Sequence, residues 1–324
     1  MTGKILKERK RIYVSGLAQL DFEPQYSWTS EEACNLYTKK EHQLPVDTIL
    51  YEDSIKGMAK IPDSSVDLVI ADPPFGIAFS GKSSQYNRKS ELVTSGYNEI
   101  NTDYKGFTDE WIGSLPRIMK PTSSAYIVSG WTNLSQVLNA IDKSGLKVVN
   151  HLIWKYQFGV FTKRKFVSSH YHILFTVRDE KKYFFNKYEF YPEDVWEIPR
   201  NYKPGQEKNG TKLPEKLVER FINFSSSPGD LIFDPFMGNA TTAVCAKSLF
   251  RRYYGFEINE GLKKIHEINI SSVEEGEGYV NLKNLKPSIK ETIKKYPHLK
   301  KHITYKKEDE DLYDLGKFSE RKTI

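Results

Sequence analysis

The run Val66-Asp67-Leu68-Val69-Ile70-Ala71, closed by Asp72-Pro73-Pro74-Phe75-Gly76, constrains the fold more than any other stretch of the chain. It is short, rich in β-branched residues and bounded by turn formers, the pattern of a parallel strand covered on both faces. Proline has no N–H to give to a sheet ladder, so pairing ends at Pro73 and Pro74. In an α/β sheet, ligands bind beyond the carboxyl ends of the strands. A stiff acidic tip at that edge offers hydrogen-bond acceptors beside an aromatic ring, which suits a flat substrate carrying an amino group. A strand that merely ends in a Pro-Pro turn would read the same way, so further signals are needed.

A second buried strand, Leu231-Ile232-Phe233, follows the turn Pro228-Gly229-Asp230 and runs directly into Asp234-Pro235-Phe236-Met237-Gly238-Asn239-Ala240-Thr241-Thr242 and an apolar helix. Strand, glycine turn and small-residue helix start form the arrangement by which backbone N–H groups and a helix N-terminus meet a polar ligand. The next strand, Tyr253 to Phe256, ends in Glu257, about twenty residues on, where a carboxylate commonly holds a ribose diol. A surface glutamate after a strand is otherwise unremarkable. The two features together are more specific than either alone.

Asp72-Pro73-Pro74-Phe75 resembles the catalytic tetrapeptide of the DNA amino-methyltransferases that modify adenine N6 or cytosine N4. The Asp234 segment resembles that family's S-adenosylmethionine motif, usually Asp-Pro-Phe-x-Gly-Ser-Gly-Thr-Thr, with Asn239-Ala240 in place of Ser-Gly. Ala240 is a departure: a glycine required for positive φ or close approach would be replaced by a residue with a methyl group. The catalytic motif precedes the cofactor motif, the order of the β class. The resemblance spans about residues 46–270 and implies a Rossmann-like α/β fold, a circularly permuted seven-stranded mixed sheet. Strands read at Thr48, Val66, Ala125, Val148, Tyr171, Leu231 and Tyr253 match it, those at Val148 and Tyr171 being joined without a helix and so antiparallel.

The family likeness further implies that Asp72 and the Pro73 carbonyl accept the hydrogens of an exocyclic amine, with Pro74 stiffening the tip and Phe75 stacking on the base. It implies cofactor contacts from Asp53, Thr211, Lys212, Asp234, Pro235, Phe236, Gly238, Asn239, Ala240, Thr241, Thr242 and Glu257, Asp53 lying by the adenine ring and Thr211-Lys212-Leu213-Pro214 by the methionine end. The expected activity is site-specific methylation of adenine N6 in a base flipped out of double-stranded DNA. Methylation of cytosine N4 or of an RNA amine stays open, as does a catalytically silent DNA-binding subunit. Partners implied are a cognate restriction endonuclease and a second copy of the chain.

A formal net charge of +6 is compatible with a polyanion without proving one. The loop with Lys155, Tyr156, Phe158, Phe161, Lys163, Arg164 and Lys165 mixes cations and rings as a nucleic-acid contact does. Cys34 and Cys245 form neither a metal motif nor a disulfide framework, and no apolar run approaches membrane-spanning length, so a reduced, cytoplasmic protein outside the membrane is expected. Three parts are expected: an extension over 1–45 with Trp28 as an anchor, the methyltransferase domain over 46–270 (catalytic half 46–178, cofactor half 211–270), and a charged arm over 271–324. Within them, 78–106 reads as a lid, about 108–119 as a helix broken or bent near Pro116, the helix after Thr132 as capped by it, and the last helix as carrying Leu262 and Ile265.

Overall fold

In chain order the strands are β1 (Thr48–Leu50), β2 (Val66–Ala71), β3 (Met119–Ser129), β4 (Lys147–Lys155), β5 (His170–Val177), β6 (Val195–Glu197), β7 (Leu231–Asp234) and β8 (Arg252–Phe256). They form one sheet in the order β1-β8-β7-β2-β3-β5-β4-β6. The computed structural model describes residues 24–75, 103–157, 159, 161–189, 192–200, 212–285 and 294–298. Neighbours are parallel throughout except around β5, which runs against both β3 and β4. The expected α/β sheet with one reversed strand is therefore present. Edge strand β6, too short to be read from sequence, adds an eighth member beside β4.

Helices cover both faces, which is why β2 reads as a continuous apolar run. On one face α5 (Glu215–Ser225) and α6 (Thr241–Ser248) pack Leu217, Val218, Phe221, Ile222, Ala243 and Ala246 against Leu68, Ile70 and Ile232. On the other, α2 (Ser54–Met58), α3 (Tyr104–Ile118) and α4 (Leu134–Ser144) pack Met58, Trp111, Leu115, Val137 and Ile141 against Val69, Ala71 and Phe233. The crossover leaving β2 uses one face and that leaving β7 the other. The sheet's topological switch point thus lies between these two strands, where an open α/β sheet leaves a crevice for ligands.

Several local expectations change. Helix α3 starts at Tyr104 and runs unbroken through Pro116, which lies within its last turn. Helix α4 has Asn133 rather than Thr132 at its N-cap, and it ends at Gly145 with φ 85 as read. The stretch before β1 carries α1 (Ser30–Lys39), opened by a capping box between Thr29 and Glu32. Its buried Ala33 and Tyr37 join Phe250, with Trp28 and Tyr279 packed on them. In the last helix, α7 (Lys263–Ser271), the buried side chain is His266, and Ile265 is exposed. The expected lid falls almost wholly on residues 76–102, outside the described residues.

The chain divides into two compact units, one of Trp28–Asn186 with Glu193–Tyr279 and the other of Met1–Ser27, Lys187–Pro192 and Val280–Ile324. The first holds the whole sheet. Among the described residues no helix is long and apolar enough to cross a membrane, and no group of three or more His, Cys, Asp or Glu side chains is gathered to hold a metal.

Phe221 is fully buried and stacks on Tyr126 at 4.2 Å between ring centroids, joining α5 to β3. Replacing Phe221 with Ala removes that ring and leaves a cavity, for an expected loss of about 3–5 kcal/mol. Urea denaturation should show this as a lowered midpoint with unchanged slope; a loss under about 1 kcal/mol would mean that the helix layer does not depend on this contact.

Candidate active site

Because β2 pairs with β7 in the register Leu68↔Ile232 and Val69↔Phe233, their carboxyl ends bring Asp72 and Asp234 to the same part of the sheet edge. Neither carboxylate has a cation close enough to form an ion pair among the described residues. Burial pushes the pKa of Asp72 up to about 7, aided by the charge of Asp234 and opposed by Arg200. Burial likewise raises Asp234 to about 7, although its oxygens accept hydrogen bonds from Thr242 Oγ1 (2.6 Å) and the Phe236 N–H (2.9 Å). Two acids raised toward neutrality at the same part of the sheet edge form a site that favours positive charge.

The Asp72 tip is braced at its far end. Asn133 makes no capping bond with its side chain and donates Nδ2 to the Phe75 carbonyl at 2.5 Å instead. The Phe75 ring meets Tyr171 of β5 at 5.5 Å, and Tyr171 contacts Trp154 and Tyr156 at 5.6 Å each. Over this aromatic wall lies the Arg200 guanidinium, 4.3 Å from the Tyr156 ring centroid and 5.0 Å from that of Tyr171. Gln157 holds the Arg200 backbone from both sides, accepting its N–H at 2.9 Å and donating to its carbonyl at 3.1 Å. Asn133, Tyr171, Trp154 and Arg200 were not singled out as site residues from the sequence. The places of Tyr171, Trp154 and Arg200 depend on the β4–β5 register and on β6, and no local motif encodes either.

The remaining candidates lie along the same edge. After β7, Gly238 has φ 52 and Ala240 adopts φ 62, ψ 28 as the residue preceding α6. The glycine-like backbone that the motif implies is thus imposed on an alanine, at a cost of about 1–2 kcal/mol. Pro235, Thr241 and Thr242 are buried, and the Phe236 ring packs edge-on against Trp111 at 5.3 Å. Glu257, at the end of β8, accepts the N–H groups of Gly238 and Asn259 at 2.8 Å each. Asp53 caps α2 by accepting the Lys56 N–H at 3.0 Å, one step along the edge at the end of β1. Lys212, ahead of α5, is paired with Glu215 at 2.8 Å. Thr211 lies outside the described residues. The buried Asn239 Oδ1 accepts no hydrogen bond among the described residues.

With this geometry in place, comparison with known proteins becomes specific. Residues 66–267 match the family model of the N6/N4 methyltransferases, described as DNA methylase. The chain belongs to this family of DNA methylases. It is 28% identical over 233 residues to the Type II methyltransferase M2.DpnII of Streptococcus pneumoniae, covering 67% of this chain and 87% of that protein. The solved M1.HpyAVI–SAM complex superposes with a TM-score of 0.52 at 20% identity, over 69% of this chain and 98% of that one. The cytosine-N4-specific PvuII DNA methyltransferase gives 0.54 at 16% identity, over 72% and 95%. Both structural matches show a shared fold.

The folded protein keeps a proton on Asp72 up to about pH 7, whereas an unfolded chain loses it near the ordinary 3.8. Between those values the native state binds more protons, so this carboxylate makes stability fall as pH rises. Asp72→Asn, which cannot ionise, should be about as stable as the parent near pH 4 and more stable by about 1–3 kcal/mol at pH 8. Denaturant midpoints at both pH values test this; a pH-independent difference would contradict the assigned burial.

Proposed function

We propose that the protein is a site-specific DNA methyltransferase that uses S-adenosylmethionine to methylate adenine N6. The observation that carries this reading is the pair Asp72 and Asp234 at the switch point, flanked by Phe75 on the target side and by Gly238 and Glu257 on the other. The residues present fit the cofactor. Raised carboxylates favour a cationic ligand, and among the described residues Asn239 Oδ1 is a buried acceptor lacking a donor, while a Cβ on Gly238 would approach only the Phe236 carbonyl, at 3.8 Å. When bound, S-adenosylmethionine supplies a methyl group activated by its sulfonium.

The chain's own groups then do three things. A target amine inside a duplex is out of reach of a pocket edge, so the base must leave the stack. Phe75 and the wall behind it receive the base, stacking being worth about 1–3 kcal/mol per ring, while the Asp72 carboxylate and the Pro73 carbonyl accept the two amine hydrogens. The surplus proton of the amine, released as nitrogen gains the methyl group, would pass to the Asp72 carboxylate. A carboxylate with a pKa near neutrality can accept that proton and release it afterwards. Positioning and stabilisation of positive charge on nitrogen account for the catalysis, without a covalent enzyme intermediate.

Adenine rather than cytosine rests on Asp at the first position of the tetrapeptide, as the family resemblance implies. A restriction endonuclease of the same specificity is the partner suggested by the Type II relative. Duplex DNA would be gripped in part by the exposed tip between β4 and β5, where Lys163, Arg164 and Lys165 lie between the exposed rings of Phe161 and Phe166.

Nucleoside mass spectrometry of DNA incubated with the protein and S-adenosylmethionine should find N6-methyladenine, and Asp72→Ala should abolish transfer while still binding the cofactor. N4-methylcytosine alone would overturn the base assignment. No methylated base of either kind, with both ligands bound, would favour a silent subunit.

Replacing Lys163, Arg164 and Lys165 together with Ala should flatten the dependence of log affinity on log salt by up to about three units, at about 0.9 per phosphate contact. An unaltered slope would make this tip solvated surface.

A further inference from the structure

His266 is 2% exposed in α7, a helix otherwise facing solvent along most of its length, and no part of the family motifs accounts for it. Its two ring nitrogens are both engaged. Nε2 lies 2.6 Å from the Gly238 carbonyl and Nδ1 lies 2.9 Å from the Tyr51 hydroxyl, with the Tyr51 and His266 rings stacked at 5.7 Å. A carbonyl can only accept, so Nε2 carries the proton and Nδ1 is left to take the Tyr51 hydroxyl as its donor. Burial, with Glu267, Glu257 and Glu260 nearby, raises the Tyr51 pKa and keeps the hydroxyl protonated as that donor.

We propose that Tyr51 and His266 are positioning residues for the cofactor loop, holding the Gly238 carbonyl outward so that the next N–H is presented to the ligand. Asn269, one turn on from His266, donates Nδ2 to the Asn239 carbonyl at 3.0 Å, and Glu257 takes the Gly238 N–H. The successive peptide units of the turn are therefore gripped from behind by α7 and the end of β8. A trans peptide sets its N–H opposite its carbonyl, so a Gly238 carbonyl bound to His266 aims the Asn239 N–H away from α7. The Ala240 N–H closes the turn onto Met237 at 2.9 Å. Tyr51 acts through His266 by fixing the tautomer, as an outer hydrogen-bond partner does for a working histidine.

This inference rests on S-adenosylmethionine being the ligand of the loop, and calorimetric titration of that compound into the full-length protein tests both. His266→Ala should weaken binding about tenfold, the effect of one lost hydrogen bond, and Tyr51→Phe by less. The double variant should be no worse than His266→Ala alone, because Tyr51 has no route to the loop without the ring. His266→Gln, which keeps an N–H near the Nε2 position, should recover most of the affinity, and the loss should fall on the cofactor KM rather than on kcat. The 15N shifts of the His266 ring in the parent protein, which require no variant, should show the neutral Nε2–H tautomer. An Nδ1–H tautomer, or unchanged affinity in a folded His266→Ala or Tyr51→Phe protein, would overturn the inference alone. Failure of the parent to bind S-adenosylmethionine would remove the cofactor reading and this inference with it.

Discussion

The parallel pairing of β2 with β7 is the contact on which the site depends. These strands are far apart in the chain, yet Leu68↔Ile232 and Val69↔Phe233 make them neighbours at the centre of the sheet. Each then delivers an aspartate to the same edge, and the crossovers leaving them depart to opposite faces, opening the crevice between. Asp67, early in β2, ties the other end of this pairing by accepting the Leu231 N–H at 3.0 Å while bonded to Lys120 at 2.7 Å. A charged residue inside an otherwise apolar strand is thus a register pin, and the strand's tip is placed by it.

The free energy stored at this edge is considerable for a few residues. Two carboxylates are held where their charged forms are poorly solvated, and Ala240 is held in a left-handed conformation that costs about 1–2 kcal/mol. Burial of the Ala240 methyl, at 0% exposure, offsets part of that cost, at about 0.8 kcal/mol per carbon. Asp234 is compensated in part by the hydrogen bonds from Thr242 and the Phe236 N–H, whereas Asp72 is opposed only by the charge of Arg200, set over an aromatic wall. A ligand bearing positive charge relieves the strain that the fold builds in.

Much of this was legible from the chain because it is local. The β2 run, the two Asp-Pro motifs, the turn at Gly238 and the acidic end of β8 are contiguous signals whose residue types are dictated by backbone chemistry, and each stands at the sheet edge where it was expected. The resemblance to a family supplied the roles; the residues themselves supplied only acceptors, a ring and a ligand-ready turn. What was not legible is long-range or ambiguous in pattern. Residues Val195–Glu197 are too few for a period, so β6 and the placement of Arg200 went unseen. Thr132 reads as the cap of α4, whereas Asn133 takes that position and gives its side chain to Phe75. The last helix was read by its apolar Leu262 and Ile265, whereas the position that turns inward carries His266, because its partner is a carbonyl and not a hydrophobic core.

The central claim is that cation binding at the switch point is coupled to ionisation of the paired carboxylates. Titration of S-adenosylmethionine near pH 7 in buffers of different ionisation enthalpy measures the protons exchanged on binding. The account predicts that the parent releases more protons than Asp72→Asn, because the bound cation lowers the pKa of an acid otherwise half-protonated at about 7. Equal proton exchange in the two proteins, at comparable affinity, would contradict it.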